Sequence, residues 1–139
     1  MKTYKSKYVE RFFYEEKQMV TSTWLTTTES MNAKEFKEEM QSLADMITEE
    51  NVKFILSITK DLRFPIVPEL QEWILEVIVP QFTDAKIEKQ AMIVPEEFIA
   101  QLSMEQTVDD VELSKHTHES KFFTEVEEAQ AWFFDNKQT

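Results

Sequence analysis

Apolar and polar residues alternate along the first 25 residues in a way that predicts two β-strands. Residues 8–14 (YVERFFY) and 19–25 (MVTSTWL) are rich in aromatic and β-branched residues, and the four polar residues between them suit a short connection. We therefore expect a β-hairpin. In its second strand Val20, Ser22 and Trp24 share one face, which we expect to turn toward the core.

The spacing of apolar residues then changes to the period of a helix. Asn32 stands three residues before Glu35, so each side chain can bond the other's backbone N–H, and Met31 and Phe36 occupy the positions of a hydrophobic staple. Asn51 suits the left-handed position that ends a helix. The inward residues are Phe36, Met40, Leu43 and Ile47, and the polar residues expected mostly to face water are Lys34, Glu35, Lys37, Glu38 and Glu39.

A nearly continuous apolar run at 53–59 (KFILSIT) is typical of a central strand that is covered on both faces. Because a long helix separates it from the hairpin, we expect parallel pairing through a right-handed crossover. Pro68 is expected to open the next helix and Pro80 to kink or end it. The apolar stripe of that helix consists of Leu70, Trp73, Ile74, Val77 and Ile78.

Two further strand–helix units complete the chain. Residues 88–94 predict a strand, after which Pro95 opens a helix with Phe98, Ile99 and Leu102 on one face. A last strand at 120–124 leads into a final helix with a capping box formed by Thr124 and Glu127. Its inward residues are Val126, Ala129, Trp132 and Phe133.

The predicted order, ββαβαβαβα, is typical of an α/β fold. We expect a mostly parallel sheet with an N-terminal antiparallel hairpin and with helices packed on it. The 139 residues are the length of one ordinary domain, and no stretch has the composition of a linker. The sequence therefore predicts a single domain over residues 1–139.

Composition excludes several classes of site, because the chain has no glycine and no cysteine. Glycine-rich loops of the P-loop and dinucleotide type need glycine so that backbone N–H groups can approach the phosphates. Without cysteine there are no disulfides, thiolate nucleophiles or cysteine-type zinc sites. We expect no cofactor.

Charge and hydropathy limit the partners. A formal net charge of −12 repels nucleic-acid phosphates and anionic lipid headgroups, and the one dense basic group comprises Lys2, Lys5, Lys7 and Arg11. No apolar run reaches the ~18–20 residues of a membrane span. Residues 1–13 also lack the apolar core of a signal peptide. We therefore expect a cytoplasmic protein with no nucleic-acid partner and no membrane span.

Several segments resemble the SpoIIAA-like bacterial proteins, which have the STAS-type fold of anti-sigma-factor antagonists. The segments are MNAKEFKEEM at 31–40, KDLRFPIVPELQEW at 60–73, MIVPEEFIAQLSMEQTVDD at 92–110 and FFTEVEEAQAWF at 122–133. The resemblance covers residues 8–134 and implies a βα superhelix of parallel strands. It also implies a distant relation to lipid-transfer domains of the CRAL-TRIO kind.

In the antagonists of that fold, a partner kinase phosphorylates a serine just past the central strand, at the start of the next helix. The matching region here has no serine in the loop or at the helix start, although Ser57 and Thr59 lie within or at the end of the strand. These two residues are therefore candidates for modification. The resemblance implies the scaffold without the usual phosphorylation switch.

The strongest candidate site is the loop after the central strand, because ligands and partners usually meet the carboxyl ends of parallel strands. Asp61 and Arg63 are candidates to bind a polar ligand or partner, with Phe64 as an apolar anchor. The alternative is local: Asp61 caps the turn and Arg63 pairs with a nearby carboxylate, such as Glu69 or Glu72. The full candidate site is Thr59, Lys60, Asp61, Arg63 and Phe64.

Metal and catalytic sites have weaker signals. His116 and His118 have the spacing that puts two imidazoles on one side of an extended segment, but two histidines alone do not make a metal site. An exposed linker is the favoured interpretation, and we predict no metal. Both histidines lie in a polar stretch, so they supply no Ser–His–Asp arrangement. Pairs such as Glu38–Glu39 follow from the 27 acidic residues, and we predict that the protein is not an enzyme.

The sequence thus favours a non-enzymatic regulatory or protein-interaction module of SpoIIAA-like type. The alternative is a carrier that holds a small apolar or lipid ligand between the sheet and the helices of Trp73 and Phe98. Phe12, Phe13 and Tyr14 are candidates for an exposed edge surface that pairs two subunits into a homodimer. The favoured interpretation is that these three aromatic residues cover the first helix.

Overall fold

The computed structural model describes residues 2–98 and 119–134. Within these residues, six strands form one mixed sheet in sequential order: β1 (Lys2–Lys5), β2 (Val9–Tyr14), β3 (Met19–Trp24), β4 (Phe54–Ile58), β5 (Lys89–Ile93) and β6 (Glu119–Phe123). The first three strands are antiparallel, and β3 to β6 are parallel. The prediction of an α/β fold with an N-terminal antiparallel hairpin is confirmed.

Helices connect the parallel strands. The first, α1 (Ala33–Glu50), lies between β3 and β4. Between β4 and β5 come α2 (Pro68–Trp73), a π turn (Ile74–Ile78) and α3 (Val79–Asp84), and α4 (Val126–Phe134) follows β6. None of the helices in the described ranges is both long and apolar enough to cross a membrane.

The two faces of the sheet are covered by different helices. One face, which includes Phe13, Val20 and Ile55, packs with the residues of α1, the π turn and α3. The opposite face, which includes Met19 and Leu56, packs with α4. Since β4 is buried from both sides, the prediction from its continuous apolar run is confirmed.

The predicted hairpin has the expected strands, with Val9 paired to Trp24 and Phe13 to Val20. Its connection is a short 3-10 turn that ends at Gln18, which has a left-handed backbone with φ 51°. The edge strand β1 was not predicted, because its sequence KTYK has no apolar alternation.

The N-terminal and C-terminal signals of α1 are confirmed. The Asn32 side chain accepts the Glu35 N–H at 2.8 Å, and the Glu35 carboxylate accepts the Asn32 N–H at 3.0 Å. Asn51 ends the helix with φ 56°. The expectation that Glu39 faces water is wrong: its side chain is buried against Arg11.

Pro80 changes the register of its helix without ending it. Proline has no N–H to donate, and its ring clashes with the carbonyl four residues earlier. The turn immediately before Pro80 is widened into the π turn, and the chain continues as α3. The extra rotation buries Ile78 but leaves Val77 37% exposed, so the prediction that Val77 faces inward is wrong.

The last helix confirms part of its predicted face. Ala129 and Phe133 are buried, and Trp132 is half-buried with its ring 5.7 Å from that of Phe123. The helix that Pro95 was expected to open is described only as far as Phe98. The predicted positions of its later residues Ile99 and Leu102, and the pair His116 and His118, lie outside the described residues.

Candidate functional site

The candidate loop begins with a double attachment to the neighbouring strand. The backbone N–H and the hydroxyl of Thr59 both donate to the Ile93 carbonyl, each at 2.9 Å. The Thr59 carbonyl then accepts the Leu62 N–H at 3.1 Å, which closes a tight turn over Lys60 and Asp61. The first half of the loop is therefore fixed to β5.

A buried threonine from another part of the chain fixes the middle of the loop. The Thr28 hydroxyl accepts the Arg63 N–H at 2.8 Å and donates to the Leu25 carbonyl at 2.7 Å. Thr28 lies in the 3-10 turn Thr26–Ser30 and is completely buried. This single hydroxyl joins the turn after β3 to the loop after β4.

Phe64 fixes the end of the loop by packing into the core. Its ring stacks on Phe36 with centroids 5.2 Å apart, and Phe36 stacks in turn on Trp24 at 5.8 Å. Phe64 is accordingly half-buried among core residues, and only part of its ring is open to a partner. Its main contacts are within this chain.

Three charged side chains of the loop remain exposed: Lys60, Asp61 and Arg63. Arg63 pairs with a nearby carboxylate, as the local alternative predicted, but the partner is Glu29 and not Glu69 or Glu72: Nη1 of Arg63 lies 3.9 Å from Oε1 of Glu29. Both partners are exposed, and pairs of this kind contribute ~0–1 kcal/mol, so this pair does not bury or fix either charge. Arg63 also borders an open groove of about 580 Å³, lined by Thr26, Thr27, Glu29, Ser30 and Arg63 itself.

The two candidate modification residues are poorly placed for a kinase. Ser57 is buried in β4, and the Thr59 hydroxyl is occupied by its bond to Ile93. In this fold a phosphoryl group on Ser57 would put about two negative charges inside the protein. The exposed residues near the loop that carry hydroxyl groups lie instead in the groove: Thr26, Thr27 and Ser30. The Thr27 hydroxyl donates to the Lys7 carbonyl, and the Ser30 hydroxyl donates to the Thr27 carbonyl.

The residues that suggested a ligand carrier have partners within the chain. Trp73 packs against the two core clusters on the α1 side of the sheet, and Lys37 Nζ lies 5.5 Å from its ring centroid. The Phe98 ring packs edge-on against Phe122 at 5.3 Å and is partly exposed. Among the described residues, no group of three or more potential ligands is placed to hold a metal ion.

The sequence analysis missed a buried polar cluster under α1. It counted Arg11 in the one dense basic group, with Lys2, Lys5 and Lys7, but Arg11 is 0% exposed and so adds no charge to the surface. The guanidinium donates to the Glu39 carbonyl at 2.7 Å, to the Ser42 hydroxyl at 3.0 Å and to the Ser22 hydroxyl at 3.3 Å. Burial lowers the pKa of Arg11, and the charge of Glu39 opposes that shift. The sequence did contain one signal of this cluster: Ser22 is polar although it lies on the face of β3 that points toward the core, where it pairs with Arg11.

No family model matches this chain, and comparisons with curated proteins and with solved structures give no significant match. The function must therefore be inferred from the residues themselves.

Proposed function

We propose that this protein is a non-enzymatic cytoplasmic regulatory module that binds a protein partner. The partner surface consists of the 59–65 loop and the adjoining groove at Thr26–Ser30. One observation carries the proposal: Lys60, Asp61 and Arg63 are exposed on a backbone that Thr28, Thr59 and Phe64 hold in place.

A fixed loop favours binding, because little backbone entropy is lost when the partner arrives. The charges on this loop have both signs, and Glu29 adds a second carboxylate beside Arg63. Opposite charges at fixed positions select a partner by electrostatic complementarity more than by affinity. The groove is open and lined by hydroxyl groups, which suits a polar segment of another protein.

The exposure of the same residues supports binding over catalysis. A general acid or base needs a partly buried environment that shifts its pKa toward the working pH. Asp61 and Glu29 are exposed to solvent. The groove offers recognition groups and no enclosed volume that would exclude water from a reaction.

The SpoIIAA-like assignment is part of this proposal. Its first support is that β3 to β6 are parallel and lie in the sheet in the order in which they occur in the chain. Its second support is that the helices that connect β3 to β4 and β4 to β5 pack on the same face of the sheet. A βα superhelix advances by one strand per turn in this way. The position of α4 on the opposite face is a departure from a simple one-sided superhelix.

The test compares how well a partner is captured by the wild type and by a variant of this protein in which the charges of the loop are reversed. Tagged wild-type protein, the double variant Lys60→Glu/Arg63→Glu and a control are each incubated with extract from the protein's own source. The control, Lys17→Glu/Lys86→Glu, makes the same change in net charge near the amino ends of the parallel strands. A protein retained by the wild type and the control is identified, purified and titrated by calorimetry.

We expect the loop variant to bind that partner at least 10-fold more weakly, a loss of about 1.4 kcal/mol. Equal binding by all three proteins would place the interface elsewhere and overturn the proposal. Native mass spectrometry of the protein from its own source tests the carrier alternative. A mass excess of lipid or metabolite size over the 16.6 kDa chain would favour the carrier.

A further inference from the structure

Within residues 2–98 and 119–134, one part of the sheet has no hydrophobic cluster packed on it. On the side that α4 covers at Met19 and Leu56, the N-terminal strands extend beyond that helix. Pairing places the side chains there in two rows, Thr3–Phe12–Thr21 and Lys5–Glu10–Thr23, with Tyr14 at the margin beside Met19. We call these seven residues the bare face. Phe12 and Tyr14 belong to none of the three hydrophobic clusters that the described residues form.

The alternation of β2 separates the three aromatic residues that suggested a subunit contact. Phe13 points to the opposite face and is buried with Leu43 and Ile47 of α1. The expectation that all three aromatic residues cover the first helix is therefore wrong for Phe12 and Tyr14. Tyr14 is 38% exposed.

The charge of the bare face differs from that of the chain as a whole. It carries one lysine and one glutamate, Lys5 and Glu10, which are direct cross-strand neighbours, so its net charge is zero. The whole chain carries −12. A strongly basic or acidic partner would therefore gain little electrostatic attraction from this face. Two copies of this acidic chain, by contrast, repel each other least when their neutral faces meet.

We propose that the bare face binds the bare face of a second copy. Under a twofold axis the same patch serves both subunits. The neighbouring Lys5 and Glu10 let each copy offer one charge of each sign to the other. Phe12, Tyr14 and the threonine methyl groups supply the apolar area between the charges. This contact is independent of the proposed partner surface at the 59–65 loop.

The small size of the face limits the strength of the contact. Three strands spaced ~4.8 Å apart and about 20 Å long give a footprint of about 300 Å². A stable interface buries about 800 Å² per subunit. The dimer is thus weak and reversible. Added salt screens the charge pairs of Lys5 and Glu10 across the dimer, but exposed pairs of this kind contribute only ~0–1 kcal/mol. Salt also screens the repulsion between the two acidic bodies and leaves the apolar contact intact, so its net effect is to strengthen the dimer.

Analytical ultracentrifugation of the full chain, over a range of concentrations at low and high NaCl, tests the proposal. Tyr14→Lys and Thr3→Lys place a charge on the bare face, and Val77→Lys is the matched control. Val77 is 37% exposed, nearly the same as Tyr14, and lies in the π turn on the other side of the sheet. Circular dichroism confirms that each variant is folded.

We expect concentration-dependent dimers for the wild type and Val77→Lys, with tighter association at high salt. The two bare-face variants should dimerise at least 10-fold more weakly. A monomer at every concentration and salt level would overturn the proposal. A dimer that Tyr14→Lys and Thr3→Lys leave unchanged would also overturn it, because the interface would lie elsewhere.

Discussion

Nη2 of Arg11 lies 3.7 Å from Oε1 of Glu39 in the space between the sheet and α1. The same carboxylate accepts hydrogen bonds from the Tyr4 hydroxyl at 3.1 Å and the Ser6 hydroxyl at 2.6 Å. The Arg11 guanidinium lies over the Tyr4 ring, with 4.7 Å from its central carbon to the ring centroid. Glu39 therefore joins the edge strand β1, the turn after it and the central part of β2 to one helix.

Removing Glu39 should destabilise the protein strongly. Glu39→Ala leaves the Arg11 charge buried without its counter-charge, and such losses cost about 3–5 kcal/mol of unfolding free energy. Urea denaturation measures the change. Glu38→Ala, at the adjacent exposed position, should stay within about 0.5 kcal/mol of the wild type. A Glu39→Ala cost below about 1 kcal/mol would show that water already reaches Arg11 and would contradict the buried pair.

Loss of the Thr28 hydroxyl should loosen the 59–65 loop. Thr28→Val keeps the shape of the side chain but removes the acceptor of the Arg63 N–H and the donor to the Leu25 carbonyl. The Leu25 carbonyl keeps the Thr28 N–H as its donor, whereas the Arg63 N–H loses its partner. An unpaired buried donor of this kind costs about 1–3 kcal/mol. Hydrogen exchange at the Arg63 amide should accelerate at least 10-fold, while the Thr59 amide, bonded to Ile93, changes less. Thr28→Ser, which keeps the hydroxyl, is the control; equal acceleration in both variants would contradict this role.

Local features of the fold were predictable from the sequence, because the groups that form them are close in the chain. Asn32 and Glu35 are three residues apart, and their reciprocal bonds follow from the spacing. The position of the candidate loop at the end of β4 follows in the same way from the apolar run and Pro68.

Features that depend on distant partners were not predictable. The burial of Glu39 requires Arg11, which lies 28 residues away, and the rigidity of the loop requires Thr28, which lies 35 residues from Arg63. The exposure of Val77 depends on the π turn before Pro80, which a fixed period of 3.6 cannot describe. Contacts of this kind decide which loop residues are free to bind a partner.

Lys86 occupies a position that glycine usually fills. The N–H of Ile87 bonds the Phe82 carbonyl and the N–H of Lys86 bonds the Thr83 carbonyl, the two bonds of a Schellman motif after α3. Lys86 therefore has φ 63°, where a Cβ costs roughly 1–2 kcal/mol.

Lys86→Gly should raise the unfolding free energy by up to about 1 kcal/mol, since the greater freedom of glycine in the unfolded chain offsets part of the relief. Thermal and urea unfolding measure the change. Asp84→Gly, in the last turn of α3 with a helical backbone, should instead cost about 0.5–1 kcal/mol. A loss of stability in Lys86→Gly would mean that its side chain contributes more than the strained backbone costs.

Glu35 should make the stability of α1 depend on acid pH. The Asn32 N–H lowers the pKa of the Glu35 carboxyl below its usual value of 4.5, and the Tyr8 hydroxyl, which donates to the same oxygen at 2.9 Å, adds to the shift. A carboxyl whose pKa is lower in the folded state stabilises that state above its unfolded pKa. The stabilisation is lost as the pH falls through the folded pKa.

Glu35→Gln keeps the capping geometry but does not titrate, so its unfolding free energy should fall less steeply than that of the wild type below about pH 4.5. Urea unfolding at intervals from pH 6 to pH 3 measures both curves. Glu38→Gln, also on α1 but outside the capping box, should follow the wild-type curve more closely. The contrary outcome is that the two curves of unfolding free energy stay parallel across this range. In that case the carboxylate form of Glu35 is no better a cap than its neutral form, and the charged capping box does not contribute to the acid sensitivity of the protein.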